Sequence, residues 1–409
     1  MMDSILIVGA GMLQVPMFRE AQSLGLAVLA TDGNPAAPGA AVADAFFPVD
    51  TYDVDGHRQL GQMLRDHQHW KLRGVVTTGA DVAPSVAAAA QGAGVRGIPL
   101  EIAQLTHDKA LVREALYTQR LDCFQPKWAR VSPHLSSHDQ LTIARVAYKI
   151  GFPCIVKPLE ERASRGVSFV HDLATYEQAK QKALAYGETF LLEEVLVGTE
   201  HSTEIIIGDK GETLWRNIVD RYFDYSSGVP IELGHANPTI LHPTQRLEIY
   251  SMVYAAVRAL GVTWGPFKVD CMLTADGPKV LECTARLSGG FDSQWTCPAT
   301  GRHPMRVLLQ LACGLPIEPQ FFIDQADGYA AAVAILPTRA GILEEIATPA
   351  GREGEVAWAV SPGQRIGPLQ HNAERCGYVF THATTQQAAW AQGMQRAQEC
   401  AEWMRINDV

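Results

Sequence analysis

Short apolar runs alternate with amphipathic stretches through the first hundred residues of the chain. The run Ser4–Val8 is followed by an amphipathic stretch from Leu13 to Leu24, and then by a second run, Ala27–Ala30. A third run, Gly74–Thr77, comes later. Strands that alternate with helices build a parallel sheet. The pattern therefore predicts an α/β domain with a parallel sheet over residues 1–103.

Beyond this region the pattern changes to helices mixed with a larger number of strands. The predicted helices are Ile102–Tyr117, Leu141–Ile150, Leu173 to about Tyr186, Gln245–Leu260, Met305–Cys313 and Thr385 to about Ile406. The predicted strands are Cys154–Lys157, Ser168–His171, Phe190–Val195, Ser202–Ile207, Thr213–Val219, Lys268–Leu273, Lys279–Cys283 and two near Ala330–Leu336 and Tyr378–Thr381.

These changes of pattern divide the chain into three predicted domains. The first covers residues 1–103, the second 104–320 and the third 321–409. The second is expected to consist of two subdomains, about 104–190 and 191–320, and the third to be an α+β cap. No long flexible linker separates the domains, so they are expected to pack against one another.

Composition and charge exclude several classes of protein. Apolar residues make up 47% of the 409 residues and charged residues only 19%, which argues against disorder. The net charge of −10 disfavours nucleic acid as a partner. No apolar run approaches the ~20 residues of a membrane helix, no signal peptide is evident, and the eight cysteines form no zinc-type cluster. We expect a cytoplasmic protein that binds neither membranes nor nucleic acids.

Two lysines are candidates for binding an anion. Lys109 lies in a predicted helix, and Lys157 ends an otherwise apolar strand in the run FPCIVKP. Burying a lysine costs free energy unless it meets an anion. The loop Glu160–Gly166 follows and ends in Ser164-Arg165-Gly166, whose main-chain N–H groups can cradle phosphates while Arg165 adds charge. The loop is also a candidate lid.

A strand end with carboxylates follows in the run FLLEEVLVGTE. A strand that turns into an open connector leaves main-chain groups free to pair with the edge of a base, and the Glu193 carboxylate can accept from its amino group. Glu200, after the connector, is placed to accept from ribose hydroxyls. Solvated glutamates at a strand end are the alternative interpretation of this run.

A predicted hairpin carries two more carboxylates. The turn Ala275–Pro278 joins two strands, and Asp270 and Glu282 can then lie opposite each other on one face. Carboxylates buried in a sheet are costly unless they meet cations, and Mg²⁺ would meet that need. Arg286 follows at the strand exit, where it can bind a transferring phosphoryl group. A structural salt-bridge network is the alternative interpretation.

Taken in order, these motifs resemble the ATP-grasp superfamily, in particular carboxylate–amine ligases related to biotin carboxylase, carbamoyl phosphate synthetase, D-alanine–D-alanine ligase and the L-amino acid ligases. The resemblance rests on DK at 108–109, VKP at 156–158, EEVL at 193–196, GTE at 198–200 and VD…LE…R ending at 286. It implies a Rossmann-like pre-ATP-grasp domain, an ATP-grasp domain that holds ATP between two subdomains, and an ATP- and Mg²⁺- (or Mn²⁺-) dependent ligase. Such an enzyme activates a carboxylate as an acyl phosphate and couples it to an amine, releasing ADP and phosphate.

The resemblance also implies roles for individual residues. The two phosphate lysines are Lys109 and Lys157, and Glu193 faces the adenine amino group. Main-chain contacts to adenine come from Glu194, Val195 and Leu196, and Glu200 binds ribose. The metal ligands are Asp270 and Glu282, with Thr284 where the family usually has asparagine. Lys268 lies close to the acyl phosphate. Glu232 and His235 lie in a stretch that resembles the substrate pocket of L-amino acid ligases, where they could contact an ammonium or a carboxylate.

Three alternatives stay open at this point. The first is an ATP-grasp carboxylase or purine-type ligase that uses bicarbonate. The second is an NAD(P)-dependent oxidoreductase, because Gly9-Ala10-Gly11 follows a first strand and Asp32 ends the second. Gln14, however, stands where the third glycine of that fingerprint would be. The third is a binding protein with a decayed site. A homodimer is a further expectation from the family.

Overall fold

The computed structural model describes residues 1–131, 134–159, 164–226, 228–317, 326–349 and 356–407. The expected boundary between the second and third domains, at residues 320 and 321, lies outside the described residues, as do the first four residues of the predicted phosphate loop. Among the described residues, no helix combines the length and apolar content that crossing a bilayer requires.

The N-terminal part forms the parallel sheet that the sequence predicts. Its elements are β1 (Met2–Val8), α1 (Val15–Ser23), β2 (Ala27–Thr31), β3 (Ala45–Phe47), α2 (Val54–Arg65), β4 (Trp70–Val76) and α3 (Ala83–Ala93). The strand order is β3-β2-β1-β4, and every pairing is parallel. The apolar side chains on both faces of β1 are buried, as expected when helices cover both faces of a sheet.

The predicted helix Ile102–Tyr117 is in fact two helices, α4 (Leu100–His107) and α5 (Lys109–Thr118). Asp108 between them has an extended backbone, and its carboxylate accepts from the N–H groups of Ala110 at 2.7 Å and Leu111 at 3.1 Å. A capping carboxylate competes with helix continuation, which is why the prediction of one helix was wrong. Lys109 therefore starts a helix instead of lying inside one.

A small antiparallel sheet follows. Its elements are β5 (Trp128–Val131), α6 (Ser137–Tyr148), β6 (Cys154–Pro158), β7 (Ser168–Val170), α7 (Leu173–Leu184) and β8 (Phe190–Glu194), in the strand order β5-β8-β6-β7. The side chains of Val156, Tyr176 and Phe190 are fully buried in the core beneath it. β8 runs through the expected subdomain boundary near residue 190, so the polypeptide leaves this sheet only after Glu194.

A larger sheet extends through the rest of the chain. The elements of this part of the chain are β9 (Gly198–Ile207), β10 (Thr213–Asp224), β11 (Ile231–Asn237), α8 (Pro243–Ala259), β12 (Gly265–Thr274), β13 (Gly277–Thr284), α9 (Cys297–Ala299), α10 (Pro304–Cys313), β14 (Tyr329–Ile335), β15 (Gly341–Ile346), β16 (Val356–Trp358), β17 (Arg365–Ile366), β18 (Gly377–Ala383), α11 (Gln386–Glu402) and β19 (Met404–Asn407). The order of its eight strands is β13-β12-β9-β10-β11-β14-β18-β16, and β17-β15-β19 form a separate small sheet.

Two features of this region differ from the prediction. The terminal helix ends at Glu402, and Met404–Asn407 forms a strand because it pairs with β15, which leaves its residues alternately buried and exposed. The strands of the expected C-terminal cap also pair directly with the middle region, through Gly234↔Val333 and its neighbours in β11 and β14. One sheet therefore spans both regions.

A single apolar core joins the N-terminal sheet to the large sheet. Ile5 and Met17 from the first region, Trp215 from β10 and Leu308 from α10 belong to the same buried cluster. Gly74 in β4 permits this close packing, because a Cβ there would lie 2.7 Å from the carbonyl oxygen of Ala312 in α10. The N-terminal region is thereby held rigidly against the large sheet, next to the cleft described below.

Candidate active site

A cleft of about 730 Å³ lies between the small sheet and the large sheet, within the size range of ligand-binding clefts. The predicted site residues that line it are Lys109, Lys157, Ser164, Glu193, Glu194, Leu196, Glu200, Glu232, His235, Lys268, Asp270, Glu282 and Arg286. Lys157 from the small sheet thus faces the same space as Asp270 and Glu282 from the large one. Four predicted residues do not line the cleft: Arg165, Gly166, Val195 and Thr284.

One end of the cleft combines an open strand connector with apolar walls. The three residues 195–197 between β8 and β9 take part in no strand, and Leu196 and Val197 face the cleft. Ile155 from β6 lies on one wall, and Met272 and Leu281 from β12 and β13 lie on the other. Such walls suit a flat heteroaromatic ring. The sequence interpretation missed these apolar residues because nothing in their local pattern separates them from core residues.

Glu193 holds two cations in place. Its carboxylate oxygens lie 2.6 Å from Lys157 Nζ and 2.9 Å from Arg113 Nε. Burial by itself would raise the pKa of Glu193, but the charges of Arg113 and Lys157 outweigh burial and lower it. Arg113 in turn donates to the carbonyl oxygens of Val280 at 2.8 Å and Leu281 at 3.0 Å. Arg113, which the sequence interpretation missed, therefore ties the small sheet to β13, and Glu193 orients Lys157.

The other predicted phosphate-binding groups lie near Lys157. Lys109 Nζ donates to the carbonyl oxygen of Leu159 at 3.2 Å and lies 3.3 Å from Glu282 Oε1. Ser164 faces the cleft, and its hydroxyl accepts from Asn372 Nδ2 at 3.0 Å. Arg165 is exposed and Gly166 is buried behind the cleft wall. The loop therefore meets the C-terminal region through Ser164, a contact that only the tertiary structure reveals.

The predicted metal ligands lie opposite each other. Asp270 pairs in register with Glu282 across the β12–β13 hairpin, as the sequence predicts. Lys268 Nζ lies 2.6 Å from Asp270 Oδ1. Two carboxylates facing a cleft are the oxygen donors that Mg²⁺ prefers, so the residues present fit this ion. Thr284 shares their strand face but is buried away from the cleft, so its hydroxyl is not placed to be a ligand there.

Arg221 in β10 is the charged centre of the cleft, and the sequence interpretation missed it. Its guanidinium lies 2.9 Å from Glu200, 2.9 Å from Glu232 and 3.0 Å from Asp270. These carboxylates come from three other strands, so only strand pairing brings them together. An arginine inside the apolar run NIVDRYF was the available signal, because a buried cation needs anions around it.

Glu232 and His235 are poorly placed to bind an ammonium group. Glu232 contacts Arg221 at 2.9 Å and Arg375 at 3.2 Å. Burial by itself would raise the pKa of Glu232, but the two arginines reverse the effect and lower it. Burial lowers the pKa of His235, so its ring is neutral at pH 7. An ammonium group would have to displace one of these two arginines from Glu232, which weighs against an ammonium contact there.

Arg286 lies on the cleft wall beside Asp81, which follows β4 of the N-terminal sheet. Its Nε lies 2.8 Å from Asp81 Oδ1, and its Nη1 donates to the carbonyl oxygen of Leu287 at 2.9 Å. Burial by itself would lower the pKa of Arg286, but Asp81 reverses this effect and raises it. The guanidinium is therefore always charged and has a defined orientation, as the predicted role toward a phosphoryl group requires.

The burial of Glu200 predicts a pH dependence of stability. Burial, together with the charges of Asp270 and Glu232, raises the pKa of Glu200 to about 7 although Arg221 opposes the rise. Because the pKa in the folded state exceeds the unfolded value, the stabilisation by this group is present at low pH and lost as the pH rises through 7. Glu200→Gln should therefore gain stability relative to the wild type, on the order of 2 kcal/mol, between pH 5 and pH 8.

Urea unfolding of both proteins at pH 5 and pH 8 measures this difference. The other carboxylates are common to both proteins, so their contributions largely cancel in the comparison. Parallel pH profiles for the two proteins would show that Glu200 is ionised throughout this range.

The glycine turn after β1 does not fit a dinucleotide. The side chain of Gln14 covers it, since a Cβ at Gly9 would lie 3.3 Å from Gln14 Cδ, and its amide donates to the carbonyl oxygen of Thr78. Asp32 accepts from the N–H of Ala10 at 2.9 Å, so it holds the turn. The space that a pyrophosphate would need is filled, and the oxidoreductase alternative has no support.

Comparison with known proteins agrees with this geometry. Residues 150–294 match the family model described as "ATP-grasp domain". The chain therefore contains an ATP-grasp domain, which includes the small sheet except β5 and the strands that carry Lys157, Asp270 and Glu282.

Individual relatives extend the likeness over the rest of the chain. Carnosine synthase 1 from Mus musculus is 23% identical over 376 residues, 85% of this chain and 44% of that protein. A formate-dependent phosphoribosylglycinamide formyltransferase from Burkholderia pseudomallei (strain 668) is 32% identical over 185 residues, 45% of this chain and 43% of that protein. The chain thus spans less than half the length of either relative. The crystal structure of an L-amino acid ligase from Bacillus licheniformis superposes with a TM-score of 0.76 over 100% of both chains, at 22% identity.

Proposed function

We propose that this protein is an ATP- and Mg²⁺-dependent ligase that activates a carboxylate as an acyl phosphate and joins it to an amine. The observation that carries the proposal is the meeting of two lysines, two carboxylates in register and one arginine in a single cleft of an ATP-grasp domain. Lysines bind phosphates, paired carboxylates bind Mg²⁺, and an oriented arginine stabilises a phosphoryl group in transfer. These are the three functions that ATP-dependent activation of a carboxylate requires.

Nucleotide binding would replace ion pairs that exist within the cleft. The base would lie between Ile155 and the apolar wall of the large sheet, against the connector after Glu194. Lys109 and Lys157, which pair with Glu282 and Glu193 in the structure, would turn toward the phosphates. Exchanging one partner of a buried ion pair for another avoids most of the cost of desolvating the charges again.

The first chemical step joins the substrate carboxylate to the γ-phosphoryl group of ATP. An oxygen of the carboxylate attacks the γ-phosphorus, and the bond to the bridging oxygen of ADP breaks. Arg286 and Lys157 balance the charge that develops on the phosphoryl oxygens. A Mg²⁺ ion held by Asp270 and Glu282 would supply further positive charge at the phosphates.

In the second step the amine attacks the carbonyl carbon of the acyl phosphate, and inorganic phosphate leaves. Arg286 and Lys268 lie on the cleft wall and can stabilise the oxyanion that forms. These residues act by position and charge, so we expect no covalent enzyme intermediate.

The cleft favours an organic acid over bicarbonate as the activated substrate. Its wall includes one apolar cluster with the side chains of Met12, Leu13, Phe291 and Tyr378. Bicarbonate has no apolar group to bury there, whereas an acid with a side chain would gain hydrophobic stabilisation. We therefore rank the carboxylase alternative below the carboxylate–amine ligase.

A phosphate-release screen tests the proposal. The purified protein is incubated with ATP and Mg²⁺ and with pairs of carboxylic acids and amines, including amino acids, and product masses are determined. We expect phosphate release that needs an acid, with an amide product at matching yield. Release that depends on bicarbonate alone would favour the carboxylase, and no release with any pair would contradict the proposed activity.

Replacement of Lys157 by alanine is expected to weaken ATP binding by about 10- to 100-fold. A charge-assisted contact is worth roughly 1.5–3 kcal/mol, and each 1.4 kcal/mol is tenfold in affinity. Calorimetric titration with ATP and Mg²⁺ measures the effect, with Lys210→Ala in an exposed turn as the control. Unchanged affinity in Lys157→Ala would contradict its role toward the phosphates.

A further inference from the structure

A buried pair of carboxylates lies at the cleft wall, apart from the ion pairs described above. Glu204 in β9 and Asp292, just after the loop that follows β13, are each only 1% exposed. An oxygen of one lies within 4.8 Å of an oxygen of the other. Among the described residues, Glu204 Oε2 and Asp292 Oδ2 have no hydrogen-bond partner. Asp292 lines the cleft, so one unpartnered carboxylate oxygen belongs to a residue of the cleft wall.

The chain conformation that places Asp292 is strained and specific. Gly290 and Phe291 both have positive φ, +70° and +73°, and a phenylalanine rarely adopts this conformation. Glu204 Oε1 accepts from the main-chain N–H of Ser288 and from the hydroxyl of Ser293 at 2.8 Å. One carboxylate oxygen thus closes the loop on itself, which holds Asp292 beside the segment that carries Arg286.

The groups around the pair leave Asp292 Oδ2, a buried atom, without a hydrogen-bond partner among the described residues. Asp292 Oδ1 accepts from Thr296 Oγ1 at 3.0 Å and from Asn237 Nδ2 at 3.5 Å. The other charged or titratable groups near the pair are Lys268, which is opposite Glu204 in β12 and pairs with Asp270; Arg302, which donates to Asn217 and Asn237; neutral His235; and the thiol of Cys297. None of these side chains forms a salt bridge with either carboxylate among the described residues.

The two carboxylates influence each other's charge. Burial raises the pKa of Glu204 to about 8, and the charge of Asp292 contributes to the rise. Glu204 therefore retains its proton near neutral pH.

Because an amine at neutral pH is mostly an ammonium ion, it must lose a proton before it can attack. We propose that Asp292, supported by Glu204, is the general base that removes this proton from the acceptor; this role rests on the proposed ligase function. The N–H bond of the ammonium breaks, and its proton passes to the carboxylate of Asp292. The freed electron pair forms the C–N bond, the departing phosphate takes the second proton from the nitrogen, and the proton on Asp292 later returns to water.

The other carboxylates of the cleft are less suited to this task. Each contacts a lysine or an arginine within 3.3 Å; they are Asp81, Glu193, Glu194, Glu200, Glu232, Asp270 and Glu282. A carboxylate that is already paired with a cation must give up that contact before it can take a proton from the acceptor. Asp292 differs from them in having no cationic partner among the described residues.

The variant Asp292→Asn separates this role from a structural one. Asparagine has the same shape and keeps the oxygen that accepts from Thr296, but it cannot take up a proton. At pH 7.5 the variant should lose about 100-fold in kcat/KM for the amine acceptor, a modest value for general acid–base catalysis. With hydroxylamine, a neutral nucleophile at this pH, its rate should stay within about twofold of the wild type. The loss with the amine should shrink about tenfold per pH unit as the free amine becomes available.

The controls make the outcomes distinct. Asp276→Asn in the exposed hairpin turn should change none of these rates, and ATP affinity checks that each variant is folded. An equal loss with amine and hydroxylamine, or a loss that high pH does not restore, would overturn the role of Asp292 while leaving the ligase intact. If none of the acids tested supports phosphate release by the wild type, even with hydroxylamine as the acceptor, the proposed ligase function is contradicted. The proposed role of Asp292 is then contradicted as well.

Discussion

Glu282→Gln should lower the rate of ADP formation by about three orders of magnitude. The carboxylate of Glu282 faces Asp270 across the hairpin, and glutamine keeps its size but loses the negative charge that holds Mg²⁺. Metal coordination supplies several kcal/mol of charge stabilisation, and 1.36 kcal/mol is a factor of ten in rate. The variant should remain folded, because glutamine can still accept from Lys109, which lies 3.3 Å from Glu282. Coupled ADP detection measures the rate, and thermal unfolding checks the fold.

The Glu282→Gln variant should also need a higher concentration of Mg²⁺ than the wild type. The concentration of Mg²⁺ that gives half-maximal rate should rise in Glu282→Gln, since one of two carboxylate ligands has lost its charge. Glu248→Gln, on the exposed face of α8, is the matched control and should behave as the wild type. Wild-type turnover in Glu282→Gln would remove the metal assignment.

Arg221→Met should destabilise the protein by about 3–5 kcal/mol, the cost of leaving buried charges without their partner. In the wild type one guanidinium lies within 3.0 Å of Glu200, Glu232 and Asp270. Methionine fills much of the volume but leaves these carboxylates facing one another. Urea unfolding at pH 8 measures the difference in the free energy of unfolding.

The sign of the pH dependence follows from the lost charge. Arg221 lowers the pKa of Glu200 and of Glu232, so its removal raises both. A pKa raised in the folded state stabilises the protein at low pH, and this stabilisation is lost as the pH rises through the folded pKa. The destabilisation should therefore be clearly smaller at pH 5 than at pH 8.

An exposed arginine provides the matched control. Arg405 contacts Glu344 and Glu345 at 3.0 and 3.1 Å, but its side chain is 62% exposed. Water screens such pairs, so Arg405→Met should cost less than about 1 kcal/mol at either pH. If Arg221→Met costs no more than Arg405→Met, the three carboxylates are not held by that guanidinium.

The pattern of hydrophobic and polar residues correctly predicted those elements whose ends are set by residues close by in the chain. The parallel strands β1, β2 and β4 and the hairpin that carries Asp270 and Glu282 are present as expected. The predictions were wrong where a single side chain ended a helix or where pairing with a distant strand created a new strand. Asp108 caps a second helix, and Met404–Asn407 becomes a strand because β15 offers it a partner. Neither effect changes hydrophobic periodicity, so the sequence pattern does not show it.

The same distinction applies to the site. A lysine at the end of an apolar strand and an aspartate inside another were recognisable, because a buried charge violates the local pattern. The sequence showed that Lys157, Asp270 and Glu282 needed counter-charges, and the order of motifs indicated an ATP-grasp domain. Arg113 and Arg375 were not recognisable, since an arginine in a helix or loop is usually solvated. The roles of the individual site residues and the homodimer stay predictions.

By itself, the sequence determined the parallel strands of the N-terminal sheet, the β12–β13 hairpin, the class of domain and the residues whose buried charge required a partner, because these follow from short-range pattern and the cost of burying charge. Only the tertiary structure decided which charges meet: Arg221 with three carboxylates, Glu193 with Arg113, and Asp292 with Glu204. These contacts join residues from different strands and from loops far apart in the chain. Their distances depend on strand order and register, which packing of the whole molecule sets.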